Sequence, residues 1–290
     1  MSPDEAERDT VPGACVLRVA CVQMNTRADV AANVRTALEL VEAAADRGAR
    51  LVALPETWAF KGRREGMVAT AEAPDGPSNS ALAALAARCG VWLLAGSVYE
   101  PAPTADRVCN TSALFDPAGA LRAVYRKIHL FDATSGTVAY RESEEVAAGE
   151  EIVTADIDTS DGVPVRLGLS ICYDLRFPGL YSSLVLRGAH VLCVPSAFTA
   201  YTGAAHWEVL LRARAIETGC FVLAPDQIGE HLPGRECFGN SMIVDPWGTV
   251  LARVDDGIGV CVVDLDLARL DEVRAQVPSL ENRRPDVYDA

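Results

Sequence analysis

Three side chains able to do covalent chemistry stand directly after apolar runs of strand type. Glu56 follows ARLVALP (49–55), Lys127 follows ALRAVYR (120–126) and Cys172 follows VRLGLSI (165–171). Ligand sites in α/β sheets lie beyond the carboxyl ends of strands, so three such tips can converge although they are far apart in sequence. A thiol, a carboxyl and an ammonium in one pocket would supply a nucleophile, a proton carrier and a stabiliser of developing negative charge. A free thiol, with a pKa of about 8.5, is only slightly ionised at neutral pH. The helix start expected after Cys172 and a nearby ammonium would both favour the thiolate. Partial burial after Pro55 is expected to raise the pKa of Glu56. Apolar Tyr125, Ile128 and Leu130 suit a shielded ammonium at Lys127. Plainer readings stand beside these: a buried apolar Cys172, a solvated Glu56 and an exposed Lys127.

Other chemistry has less support. His190 lies inside a strand-like run, His206 on a helical pattern and His231 in a Gly/Pro loop, while His129 is two residues beyond Lys127. No His-x-x-x-His or Glu-x-x-His spacing occurs, so no metal is expected. No glycine-rich phosphate motif follows a strand, and no cofactor is expected. The formal charge of −14 disfavours nucleic acid and anionic membranes as partners, although one local cation can still hold a small anion. No apolar run approaches the roughly 18 residues of a membrane span. The start, MSPDEAERDTVPGA, lacks a secretory pattern. Residues 1–16 read as a disordered leader and 17–290 as one domain. Nine cysteines with no C-x-x-C pair argue against a disulfide framework and point to a reducing, cytoplasmic compartment.

The elements that must position these residues repeat. LRVACVQM (17–24), ARLVALP (49–55) and VWLLAGSVY (91–99) read as strands, with helices over 29–47 and 78–90. A hairpin then turns on Asp116-Pro117-Ala118-Gly119. The second half gives strands at 165–173, 190–197 and 220–227, helices at 178–187 and 204–219, and a hairpin on Asp245-Pro246-Trp247-Gly248. RGARLVALP (47–55) and RGAHVLCVP (187–195) match at an offset of 140, and Gly90, Leu94, Ala95 and the Asp-Pro-x-Gly turn recur at an offset of 129. Two such sheets, each with helices on one side, can bury their bare faces against each other. The expected fold is therefore α/β, a four-layer α-β-β-α sandwich of two similar halves; a single doubly wound sheet is the alternative. Segment 130–151 reads as a polar loop, functional or mobile, and the tail from 278 as an extended arm.

The sequence resembles the nitrilase superfamily, the carbon–nitrogen hydrolases, at LPETW around Glu56, YRKIHLFD around Lys127 and SICYDLRFP around Cys172. A further glutamate of the family matches Glu142 in YRESEEVAAG. The resemblance runs from about residue 17 to the C-terminus. It is strongest to the Nit branch, in TGAAHWEVLLRARAIETGCFVLAPDQ (202–227), SMIVDPWGTV and RRPDVY, and within that branch to the deaminated glutathione amidases, with the ω-amidases of 2-oxo acids as siblings. Gly179 and the loop HLFDATSGTVAYRES depart from that pattern.

The resemblance implies the same sandwich, at least a homodimer, and hydrolysis of a small carboxylate-bearing amide through a cysteine thioester. Cys172 would attack, Glu56 would carry protons, and Lys127 with the Tyr173 N–H would hold the oxyanion, with Glu142 orienting Lys127. Arg176 would bind a substrate carboxylate, unless it pairs with Asp174 or another acid as a structural brace. The loop SAFTAYT (196–202) would line the pocket through Ser196, Phe198 and Thr199. An N-carbamoyl amino-acid amidohydrolase, an aliphatic amidase or nitrilase, and an idle interaction protein on this scaffold are the competing readings.

Overall fold

Side-chain alternation in the first strand lays out the layers. In β1 (Val16–Gln23), Leu17, Val19 and Cys21 enter one apolar cluster, while Ala20 and Val22 enter another. The chain is seen in a computed structural model that describes residues 15–103, 106–159 and 162–288. The first half continues through α1 (Val30–Asp46), β2 (Leu51–Ala53), α2 (Arg64–Ala69), α3 (Pro77–Cys89), β3 (Trp92–Leu94), β4 (Val98–Pro101), β5 (Val108–Phe115) and β6 (Leu121–Arg126). Strands β1, β2 and β3 are parallel, and β5 returns antiparallel between its neighbours. Asp29 caps α1 by accepting from the Ala32 N–H at 3.0 Å. Gly90, at φ 66°, ends α3 in the left-handed conformation that glycine adopts freely. Ala37, Val41, Leu82 and Leu85 of these helices cover Ala20, Val22, Val52 and Leu93 on one face of the sheet.

The second half repeats the scheme. A hairpin, β7 (Asp132–Ser135) and β8 (Val138–Arg141), leads into β9 (Thr154–Asp158), β10 (Pro164–Leu169), α4 (Pro178–Leu186), β11 (Val191–Cys193), α5 (Ala200–Thr218) and β12 (Phe221–Ala224). A second hairpin, β13 (Ile228–Leu232) and β14 (Arg235–Phe238), precedes β15 (Met242–Val244) and β16 (Val250–Arg253). The sheet order is β16-β15-β12-β11-β10-β9, with β10, β11 and β12 parallel. Helix α4 packs on β10 and α5 on β12. The bare faces of the two sheets meet, since Val19, Leu51 and Leu94 share a cluster with Leu167, Cys193, Leu223 and Ile243. Burying one such Leu, Ile or Val contributes about 1.5–3 kcal/mol. The layers run helices, sheet, sheet, helices, as the repeat implied.

Three expectations need correction, and one strand goes beyond the expected repeat. The last strand, β17 (Gly259–Asp266), leaves the second half and pairs antiparallel with the whole of β1, Val16 opposite Asp266 and Gln23 opposite Gly259. Segment 130–151 is not a plain loop, because it holds the β7–β8 hairpin and the 3-10 turn Glu142–Glu144. After α6 (Ala268–Gln276), the tail is no extended arm: it turns and ends in a short helix, α7 (Pro285–Tyr288), with Leu280 against the core. The leader expected over 1–16 lies outside the described residues as far as 14, but Val16 is already strand.

Candidate active site

Two strained backbones present two of the reactive side chains. Beyond β2, Pro55 passes over Gly96, where a Cβ would meet the Pro55 carbonyl oxygen at 2.0 Å, so only glycine permits the approach. The Ser97 hydroxyl accepts from the Thr57 N–H at 2.9 Å, and the Ser97 N–H donates to Pro55 O at 3.3 Å. Thr57 sits at φ 54° and Cys172 at φ 48°, in a region that costs a non-glycine residue about 1–3 kcal/mol. Cys172 opens the 3-10 turn Cys172–Arg176, and its N–H donates to Pro195 O at 2.9 Å. Asp174, fully buried, locks that turn. Its carboxylate accepts from the Ile171 N–H (2.9 Å), the Tyr125 hydroxyl (2.6 Å) and the His129 N–H (3.0 Å).

The structure brings Glu56, Lys127, Glu142 and Cys172 to one cavity of about 370 Å³. Lys127 is 2 % exposed and Glu56 5 %, so neither charge is dispersed by water. The Lys127 ammonium donates to Glu56 Oε1 at 3.0 Å and to both Glu142 oxygens at 3.0 and 2.9 Å. Glu142 Oε2 also accepts from the Phe131 N–H at 2.6 Å. Glu56 is held from two further sides, Oε1 accepting from Asn110 Nδ2 and Oε2 from the Ala197 N–H, each at 2.8 Å.

The electrostatics reverse two expectations. Burial alone would raise the Glu56 pKa, but the ammoniums of Lys127 and Lys61, with hydrogen bonds from Lys127 and Cys172, hold it below the ordinary carboxylate value. Burial and the charge of Glu56 hold the Cys172 thiol well above its ordinary value, and the opposing pull of Lys127 is weaker. At rest the set is therefore thiol, carboxylate and ammonium, not a preformed thiolate. Burial works against the Lys127 charge, but Glu142 and Glu56 outweigh it and keep the amine protonated.

The remaining sequence candidates divide. Tyr173, Arg176, Phe198 and Thr199 line the cavity. The Tyr173 N–H lies in the first turn of the 3-10 segment, where amides lack an intrahelical acceptor. Arg176 lies over the rings of Phe198 (5.0 Å) and Tyr173 (6.0 Å) and meets His206 Nδ1 at 3.3 Å. It does not brace Asp174, whose oxygens are already occupied. Thr199 Oγ1 is bonded to Ser135 Oγ (2.7 Å) and Thr202 Oγ1 (2.8 Å). Ser196 does not line the cavity; its short side chain turns back to donate to Val194 O at 3.0 Å. His129 stacks on Phe177 at 3.7 Å, His190 Nδ1 accepts from the Arg166 N–H, and His231 lies on β13 rather than in a loop. Among the described residues no group of three His, Cys, Asp or Glu side chains is placed to hold a metal ion.

Sequence reasoning missed Asn110, the Ala197 N–H and Lys61. Asn110 had a signal: Asn110, Thr111 and Ser112 are polar inside an otherwise apolar strand, and buried polar groups need partners. A backbone donor and a lysine five residues past Glu56 carry no such mark.

Residues 18–275 match the model of the carbon–nitrogen hydrolase family. The chain belongs to the carbon–nitrogen hydrolases. As a member it is similar to the deaminated glutathione amidase of Synechocystis, 43 % identical over 267 residues that cover 91 % of this chain and 97 % of that one. The crystal structure of the Caenorhabditis elegans NitFhit protein superposes with a TM-score of 0.87 at 40 % identity, covering 95 % of this chain and 66 % of the other. A mutant amidase from Nesterenkonia sp. AN1, with the acetamide moiety of fluoroacetamide covalently added at its active-site cysteine, gives a TM-score of 0.79 at 25 % identity, covering 96 % and 97 %. This carbon–nitrogen hydrolase is an amide-hydrolysing enzyme. None of its described helices is long and apolar enough to cross a membrane.

Proposed function

We propose that the enzyme cleaves the amide of a small carboxylate-bearing substrate of the deaminated glutathione kind, through a thioester on Cys172. The observation that carries this reading is the buried Glu56 carboxylate, bonded to the Lys127 ammonium at 3.0 Å in the cavity that Cys172 lines. Glu56 takes the thiol proton as sulfur attacks the carbonyl carbon. Lys127 and the Tyr173 N–H hold the oxyanion. Glu56 then returns the proton to the departing nitrogen, and ammonia or an amine leaves. Water, giving its proton to Glu56, hydrolyses the thioester. Glu142 fixes Lys127 throughout. Arg176 takes a substrate carboxylate, with Phe198 against the chain and Thr199 on the wall.

The test is a release assay comparing deaminated glutathione, 2-oxoglutaramate, glutamine and N-carbamoyl amino acids. The first should be turned over fastest; preferred release of carbon dioxide with ammonia from a carbamoyl substrate would overturn the reading. Cys172→Ala should keep the fold, read by circular dichroism, and abolish hydrolysis. Arg176→Lys should chiefly raise KM for carboxylate-bearing amides, since an ammonium loses the two-pronged contact.

Three wider readings accompany this one. A single domain runs from Val16 into the C-terminal helix. The protein works in the cytoplasm, in keeping with nine free cysteines. It forms a homodimer through the outer face of α5, where Tyr201, Val209 and Ile216 form an exposed apolar stripe beside Trp247. Val209→Glu should halve the mass measured by sedimentation equilibrium.

A further inference from the structure

The cavity contains a second lysine, which the mechanism does not use. Lys61 lines it half-buried, and its backbone N–H is tied to Arg27 O at 3.1 Å. Among the described residues its ammonium makes no hydrogen bond and no ion pair, although an enclosed charge ordinarily has a partner. The acids around the cavity do not supply one. Glu56 and Glu142 both pair with Lys127, while Glu144 and Glu236 are exposed at the rim and Glu145 forms no pair with it. The nearer wall is uncharged: burial pushes the Cys237 thiol up to about 12, and burial with Lys61 and Arg235 lowers His231 to about 3. Burial works against the Lys61 charge as well, and among the groups that favour it only Glu56 carries a negative charge at rest. Arg141 and Arg235 also line the cavity, yet each is engaged at Tyr140, one by the carbonyl (2.7 Å) and one by the ring (5.1 Å).

We infer that Lys61 is a substrate-binding residue that receives a second carboxylate of the substrate, distinct from the one assigned to Arg176. The inference rests on the carboxylate reading given under the proposed function and narrows it. The substrates selected are diacids, with one acid group on the acyl part and one on the leaving part of the scissile amide. A glutathione skeleton, with a carboxylate at each end, has that pattern. The ω-amide of a 2-oxo acid has one carboxylate and engages one of the two cations.

The experiment compares kcat/KM for four amides: the diacid, the two forms with one acid masked as a methyl ester, and the form with both masked. Wild type, Lys61→Met, Lys61→Arg and Arg176→Met are measured, with melting temperature as the check on folding. Wild type should prefer the diacid over both half-masked forms. Lys61→Met should lose about 10- to 100-fold on the diacid, the scale of one hydrogen bond to a charged group. It should become indifferent to masking of one acid while still sensing the other, and Arg176→Met should show the converse. The doubly masked amide reports the loss common to all substrates, including the Lys61 contribution to the Glu56 charge, and should fall at least about 10-fold less than the diacid, while Lys61→Arg should keep the diacid preference. An equal loss on all four amides would overturn the inference, because Lys61 would then be serving Glu56 rather than the substrate. Both variants losing sense of the same acid would overturn it too. A wild type indifferent to masking would instead sink the carboxylate reading itself, Arg176 included.

Discussion

RGARLVALPETW (47–58) and RGAHVLCVPSAF (187–198) are two copies of one strand tip, and Glu56 and Ser196 are counterparts in them. The copies share their framing. Gly48 and Gly188 take φ values of 82° and 88°, each against an arginine, Arg18 and Arg166, that is paired with an aspartate across the sheet. Each tip is clasped by a turn from the next strand, Thr57 N–H on Ser97 Oγ in one and Phe198 N–H on Asp226 Oδ1 in the other. The tips also touch: Glu56 N–H donates to Ser196 O at 3.3 Å, and the Ala197 N–H donates to Glu56 Oε2 at 2.8 Å. The difference lies in reach. The Glu56 side chain is long enough to meet Lys127, whereas Ser196 reaches only its own strand. A repeated frame thus offers two equivalent positions to a single cavity. One supplies the carboxylate and the other the backbone amide that aims it.

This contrast can be broken by experiment. Glu56→Gln keeps the shape of the tip and removes its basicity, so kcat/KM should fall about 10²–10⁴-fold. Glu56 must be ionised to accept the thiol proton, and its pKa is lowered, so the acid limb of the wild-type rate should lie below the ordinary glutamate value of about 4.3. An acid limb between pH 5 and 6 would refute that order of charges. In the other copy, burial chiefly, with Glu56 adding to it, holds the Asp226 carboxyl well above its ordinary value. In the unfolded chain the same acid ionises above a pH of about 3.9. Its contribution is therefore complete below that value and lost as the pH rises. Asp226→Asn cannot ionise, so its melting temperature should gain on wild type as the pH rises above about 4. Ser196→Ala should have the smallest effect, about 1 kcal/mol of stability for the bond to Val194 O and less than about threefold in rate. A hundredfold loss of rate there would make the two tips equal partners.

The sequence made local pattern and repetition legible: the apolar runs, the helix stops at Gly90 and Gly219, and the offsets that imply two facing sheets. It also marked three reactive residues at strand tips. Partnership between distant segments was not legible. Nothing in GVCVVDLD (259–266) says that it pairs with β1 rather than with β16. The expected rise of the Glu56 pKa weighs only the burial visible in its apolar neighbours; the ammoniums of Lys127, first, and Lys61 reverse it, and their distances from the carboxylate are not written in the sequence. Ser196 was assigned to the pocket wall from its position after β11, but side-chain direction is set by the bond its hydroxyl makes.

The return of β17 to β1 also governs how the polypeptide can be divided. A fragment ending between the halves would lack the ribbon that hydrogen-bonds along all eight residues of β1, Val16 to Gln23. Its outermost strand would then be bare, an invitation to stray pairing with other chains. The two repeats are therefore not separable modules: the closing segment of the second works as a clasp on the first.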